Sequence, residues 1–204
     1  MSIADDTIAD VIALIERPDL VVQARNMMRR ALLQFHNADN FARDMVELDI
    51  PVLVTDTARS DSLPLRFRQL ARISALKDGV CIAHDFKERK GELLKDYFGF
   101  LVPNTWMVLG NNLRLNWLGG ADTIRITYYS YPEWLVTGNV GEETVTCDSW
   151  ILQEYDQGVM FATLSLLGMG VDKIEEANRW AASAEKARRE LIATYSTTGL
   201  SDND

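Results

Sequence analysis

A thiol, an imidazole and a carboxylate fall within five residues at Cys81-Ile82-Ala83-His84-Asp85. Such a group could activate a thiol nucleophile or begin a metal site. A zinc site needs further ligands, and the only other cysteine and histidine are the isolated Cys147 and His36. The plainer alternative is a buried thiol beside a solvent-facing histidine. Paired carboxylates stand at Asp5-Asp6, Glu142-Glu143 and Glu175-Glu176. Helical neighbours point about 100° apart, so the first and last pairs do not converge on one substrate. Glu142-Glu143 falls in an expected loop and needs partners brought to it. Gly119-Gly120 and Gly138-x-x-Gly141 have neither the phosphate-loop lysine nor a dinucleotide-binding spacing. No Gly-x-Ser-x-Gly elbow occurs. Arg66 and Arg68, flanking Phe67, could meet an acidic partner or a phosphate, or else cap their loop and pair with Asp56 and Asp61. These residues lead to the expectation of a protein that is not an enzyme, with no catalytic, metal or cofactor-binding site.

Composition narrows the class further. The chain has 204 residues and 47% hydrophobic content, enough for a packed core. Thirty acids against twenty-one bases give a formal charge of -9. That balance opposes gripping a phosphate backbone, which needs a clustered basic surface. An acidic wall would still suit a channel through which DNA slides; the plainer reading is solubility. Two distant cysteines make no disulfide framework, so reduced, buried thiols are expected. The uncharged run between Asp156 and Asp172 is too short for a membrane span. Acids near the N-terminus, MSIADDTIADV, speak against a secretion signal.

The elements that would position these groups follow from periodicity. Ser2 can cap a first helix, with Asp5 three residues on, and Ile8, Val11, Ile12 and Ile15 share one face. Pro18 opens a second helical segment, where its missing N–H costs nothing. Leu20, Ala24, Met27, Ala31 and Phe35 keep the spacing, and His36 to Asn40 break it with polar turn formers. Ile50 to Val54 reads as an extended or edge strand, Leu65 to Leu70 as a short helix, and Cys81 to Ala83 as a short strand. The charged segment from Asp85 to Tyr97 suits an exposed helix or a mobile arm. From Trp106 the period becomes two, and Asn111-Asn112 marks a hairpin turn. Ile124, Ile126 and Tyr128 then line one face of a strand, with Arg125, Thr127 and Tyr129 on the other.

Leu152, Tyr155, Val159, Ala162 and Leu166 make the stripe of one long helix, which Gly168 and Gly170 end in a left-handed cap. Asp172 with Glu175 starts a second helix, lined by Ile174, Ala177, Ala181, Ala184, Leu191 and Tyr195. The polar end, STTGLSDND, is expected to be mobile when unbound. The expected fold class is mainly α with a small antiparallel β-sheet (α+β). It has an N-terminal helical pair, a central strand-rich insertion, a long C-terminal helical hairpin and a flexible tail. One domain is expected over 1–195, helical at 1–36 and 149–195 and strand-rich at 41–135, followed by the tail at 196–204.

LPLRFRQLARI, the Trp106–Leu115 hairpin, and YYSYPEWL leading into SWILQEYDQGVMFATLSLLG occur in an order that resembles the head-tail adaptor (connector) proteins of tailed bacteriophages. The resemblance runs from about Met1 to Tyr195. It lies in order and residue type, since the family has no short diagnostic motif, and the segment 85–97 has no place in it. It implies a virion protein of the neck, assembled in the host cytoplasm as a homo-oligomeric ring, usually a dodecamer. Such a ring binds the portal protein on one side and the tail or next neck ring on the other. Genomic DNA passes through its channel without sequence-specific binding, and neither cofactor nor membrane is involved. The resemblance implies portal docking by Tyr195, Leu200, Ser201, Asp202 and Asp204. Tyr129, Tyr131 and Trp134 would be intersubunit contacts, or simply core. Two other readings stand beside it: a small cytoplasmic hydrolase using Cys81 and His84, and a helical interaction module of a cellular complex.

Overall fold

The computed structural model describes residues 2–84, 86–89, 103–139 and 143–196. In chain order, helices α1 (Ile3–Ile15) and α2 (Val21–His36) come first. Eight strands follow: β1 (Met45–Pro51), β2 (Ala58–Ser62), β3 (Phe67–Lys77), β4 (Val80–Ala83), β5 (Lys87–Glu88), β6 (Thr105–Leu109), β7 (Asn112–Asn116) and β8 (Thr123–Ser130). A hairpin of β9 (Trp134–Thr137) and β10 (Thr144–Cys147) leads to α3 (Trp150–Glu154), α4 (Asp156–Gly168) and α5 (Ile174–Tyr195). Contacts group the chain into two compact units, Met1–Asp44 with Tyr131–Asp204, and Met45–Ser130.

The expectation of a mainly α fold is corrected. Of the described residues 42% are helical and 32% lie in strands, in sheets of four, four and two strands, which is an α+β fold without helical predominance. The reason is cross-strand pairing that local sequence does not announce. Leu65 to Leu70, expected as a short helix, instead enters the eleven-residue β3, which pairs with β8 on one side and β4 on the other. Strand β2, Ala-Arg-Ser-Asp-Ser, has almost no strand propensity of its own and is held by β7. Phe86 to Arg89, within the segment expected as helix or arm, is extended, and β5 pairs in parallel with β6.

The strand-rich unit is built from two four-stranded sheets, ordered β1-β8-β3-β4 and β2-β7-β6-β5. Ile124, Ile126 and Tyr128 of β8 pack with Ile73 and Ala75 of β3, Leu113 and Leu115 of β7, and Trp117. The alternation expected along β8 therefore holds. The hairpin after Trp106 also forms, but its two-residue turn is Gly110-Asn111, one position earlier than expected. Gly110 takes the positive φ (+59°) that this turn requires. Of Ile50 to Val54, expected as an extended or edge strand, only Ile50 and Pro51 lie in a strand, at the end of the edge strand β1.

The helical unit centres on α4, which lies against α1, α2 and α5. Ser2 caps α1 by accepting the Asp5 N–H at 3.2 Å. Gly158 and Gly168 bring α4 close to α5. A Cβ on Gly158 would stand 2.7 Å from Ala187 Cβ, and one on Gly168 would stand 3.0 Å from Ala177 Cβ. Gly168 thus serves close packing and does not enter the left-handed region expected of it; Asp172 does, at φ +59°. Asp172 consequently does not cap α5, whose N-cap is Lys173. The long helix expected from Trp150 is broken at Tyr155 (φ -132°, ψ 35°) into α3 and α4. No helix among the described residues is long and apolar enough to cross a membrane.

Candidate functional site

The most concentrated chemistry of the helical unit lies where α2 ends and α3 begins. His36 is the last residue of α2. A short turn over Ala42–Asp44 presents Asp44, and Ser149 is the N-cap of α3. His36 Nδ1 lies 3.0 Å from Asp44 Oδ2, and His36 Nε2 lies 2.9 Å from Ser149 Oγ. A carboxylate oxygen accepts, so the Nδ1 N–H donates to Asp44, and the other ring nitrogen meets the Ser149 hydroxyl. The second Asp44 oxygen, Oδ1, accepts the Trp150 indole N–H at 2.8 Å. Ser149 Oγ also accepts the Leu152 N–H at 3.3 Å.

Carboxylate, imidazole and hydroxyl in this order have the connectivity of a serine-hydrolase triad. Their burial gives them a different role. His36 is 1% exposed, Asp44 5% and Ser149 1%. A nucleophile must reach a substrate carbonyl, and Ser149 is buried. The network acts as a polar strut that fixes the end of α2 to the start of α3 and satisfies groups that would be costly to bury alone.

Sequence reasoning missed this cluster because it assigned His36 to a turn. One signal could have found it. Ser149 precedes the apolar-periodic run of α3 in an N-cap position, and His36 continues the face of Ala24, Met28, Ala31, Leu32 and Phe35, all buried.

The strut continues into an outer layer that holds the end of α5. Trp150 meets Phe41 edge to face at 5.5 Å and Tyr195 at 5.1 Å between centroids. The Arg43 guanidinium lies over both the Trp150 and Tyr195 rings, at 5.0 and 4.9 Å. Arg43 also pairs with Glu154, which accepts the Tyr195 hydroxyl at 2.7 Å. The guanidinium, and then the phenol, hold the Glu154 carboxyl below its ordinary range. The same hydrogen bond raises the Tyr195 phenol. Past Tyr195, Ser196 forms a bridge with Phe41 and hydrogen-bonds Asp39. Tyr195, the first of the expected portal-docking residues, therefore sits half-buried at a fixed exit point. Leu200, Ser201, Asp202 and Asp204 lie outside the described residues, as does the tail from 197.

The other candidates are placed as follows. Tyr129 is buried on β8 with the Arg68 guanidinium 5.1 Å over its ring. The Tyr131 hydroxyl donates to Asn37 at 2.9 Å, and Trp134 packs on the helical core. Cys81, expected to be buried, is exposed on β4, its thiol donating to the Ala83 carbonyl at 3.6 Å. His84 is exposed, and Asp85 lies outside the described residues. Burial pushes the Cys147 thiol up to about 11. Asp5 is occupied by the Val145 N–H at 2.8 Å, and Glu143 by Arg25. Asp61 pairs with Arg59 at 2.7 Å, while Asp56 accepts the Leu53 N–H at 3.0 Å. Among the described residues no group of three or more His, Cys, Asp or Glu could hold a metal ion. No protein-family model matches the chain, and no curated protein matches it.

Proposed function

We propose that this protein is a structural ring subunit of a bacteriophage neck, a head-tail adaptor that binds the portal and joins the DNA-filled head to the tail. The observation that carries the reading is the surface of the strand-rich unit. Ten of the seventeen large apolar side chains exposed among the described residues belong to it, among them Met45, Val46, Leu48, Leu53, Leu65, Val80 and Leu118. Isolated exposed aliphatics are ordinary, but such a density on one unit supports a surface that another protein covers. The most triad-like group in the helical unit is sealed from substrate, which favours assembly over hydrolysis.

The order of elements supports the same reading. Both ends of the chain build the helical unit, and the strand-rich unit is an excursion between them. Arg43, Glu154 and Trp150 fix the point from which the C-terminal residues leave, so a docking tail would start from a rigid base. Repetition of such tails around a ring, in about twelve copies, would multiply weak contacts by avidity. The acidic balance of the chain suits a channel that releases DNA.

A phage stock lacking this chain tests the proposal. Electron microscopy should find heads and tails that do not join, and adding the purified protein should restore joining. Complete virions formed without it would overturn the proposal.

A further inference from the structure

We propose that copies of this chain join head to tail through the two edges of one sheet, β1 of one copy pairing with β4 of the next. The inference rests on the ring reading and names its intersubunit contact. In the order β1-β8-β3-β4, both outer strands lack a strand neighbour on their outer side among the described strands. The first five residues of β1 are exposed, and so are Val80, Cys81 and Ile82 of β4.

Stable monomers blunt such edges with lysines, inward charges or a covering segment. Strand β1, Met-Val-Glu-Leu-Asp-Ile-Pro, has no lysine, and only its last residue is proline. Its register places Glu47 and Asp49 opposite Thr127 and Arg125, with Asp49 bound to Arg125 at 2.7 Å. Val46, Leu48 and Ile50 lie on the other face, opposite Tyr128, Ile126 and Ile124. Ile50 is buried in the core, whereas Val46 and Leu48 are exposed. The apolar face of β1 thus extends beyond what its own core covers.

Strand direction and charge identify the occupant as a second copy's β4. Every neighbour in this sheet is antiparallel, so β1 and β4 run in opposite directions. Joining β4 to the next copy's β1 then gives an antiparallel ladder, the more stable kind. The two-fold alternative, β1 against β1, would set Glu47 and Asp49 against their own copies, and like charges across a ladder repel. Val80-Cys81-Ile82-Ala83 carries no charge and avoids that conflict. Each copy offers one edge of each kind, a heterologous contact that closes into a ring when the rotation per subunit allows. The register shift between Ala75 and Leu76 shortens the regular part of β4, so each contact is weak and gains from closure.

The exposed Cys81 provides the test. In full-length protein carrying Cys147→Ser, Val46, Glu47 and Leu48 are changed to cysteine one at a time. Oxidised glutathione then takes the two electrons as two thiols lose their protons and join. The scan is run on the chain alone at high concentration and mixed with portal protein, with native mass recorded in parallel. A disulfide needs Cβ atoms roughly 3.5–4.5 Å apart, so only positions facing Cys81 react. The expected result is a reducible ladder of dimers, trimers and larger species from one or two positions, abolished by Cys81→Ser. Dimers that persist in Cys81→Ser would mean β1 pairs with β1 and would overturn the proposal. A ring seen by native mass without any Cys81-dependent ladder would overturn it while leaving the ring reading intact. A Cys81-dependent ladder in a chain that ignores the portal would uphold the edge contact and remove the adaptor role. Absence of both ladder and oligomer would remove both.

Discussion

Ser149→Ala separates a structural strut from a catalytic triad. The change removes one hydroxyl and two hydrogen bonds, the 2.9 Å contact with His36 Nε2 and the 3.3 Å bond from the Leu152 N–H. Loss of a serine N-cap costs about 1 kcal/mol. A buried imidazole nitrogen left without its partner costs a further ~1–3 kcal/mol. The expected destabilisation is therefore about 2–4 kcal/mol. At this chain length each kcal/mol lowers Tm by about 2–4 °C, so a fall of roughly 5–15 °C is expected. The five α-helices of the described residues belong to one unit, and the far-ultraviolet helix signal reports on their melting. The two units need not melt together, and the helix signal should be compared with near-ultraviolet dichroism for that reason. The reasoning is refuted if Ser149→Ala melts within about 0.5 kcal/mol of the native chain, a shift typical of surface sites. Loss of an ester-cleaving activity in an equally stable variant would identify Ser149 as a nucleophile instead.

Gly158→Ala gains about 1 kcal/mol of helix propensity but loses ~1–3 kcal/mol to overpacking against Ala187 and Phe35, for a small net loss. Adding Ala187→Gly should show favourable coupling in a double-mutant cycle, and strict additivity would contradict the close approach. Cys81 should react promptly with a thiol reagent at pH 8. Cys147, with its thiol pushed up to about 11, is thiolate only to roughly one part in a thousand there and should react only after unfolding; two equal fast phases would count against this. Glu154 has a lowered folded-state pKa, so its contribution is present above the ordinary carboxylate range and disappears as pH falls through the folded value. Tyr195 should loosen from Trp150 on acidification, with fluorescence as the readout, and Glu154→Gln should remove that acid step; an unchanged step would assign it elsewhere.

The helical unit is the more legible part of the chain. Ser2, Ile8, Val11 and Ile15 of α1, and Ala24, Ala31 and Phe35 of α2, carry local signals that their environment reinforces. The break at Tyr155 is hidden because the apolar stripe runs through it and neither Gly nor Pro stands at the break itself. Gly168 is legible as a helix end but not as a packing site, since that depends on Ala177 and Trp180 in another helix. In the strand-rich unit, β8 announces itself by alternation, whereas β2 and the first half of β3 exist only through their neighbours. The buried strut joins residues 113 positions apart, a separation that local pattern cannot bridge. The Cys-x-x-His-Asp run is compact in sequence, but Cys81 lies on an exposed strand and His84 just past its end, whereas His36 reaches its partners only through the fold.

The central claim is assembly against a portal. Native mass spectrometry of the purified chain, alone and mixed with the portal protein of the same genome, tests it most directly. The account predicts a portal-bound ring of many copies, whether the free chain is a monomer or already a ring. A chain that stays a monomer or small oligomer and leaves the portal's mass unchanged would contradict it.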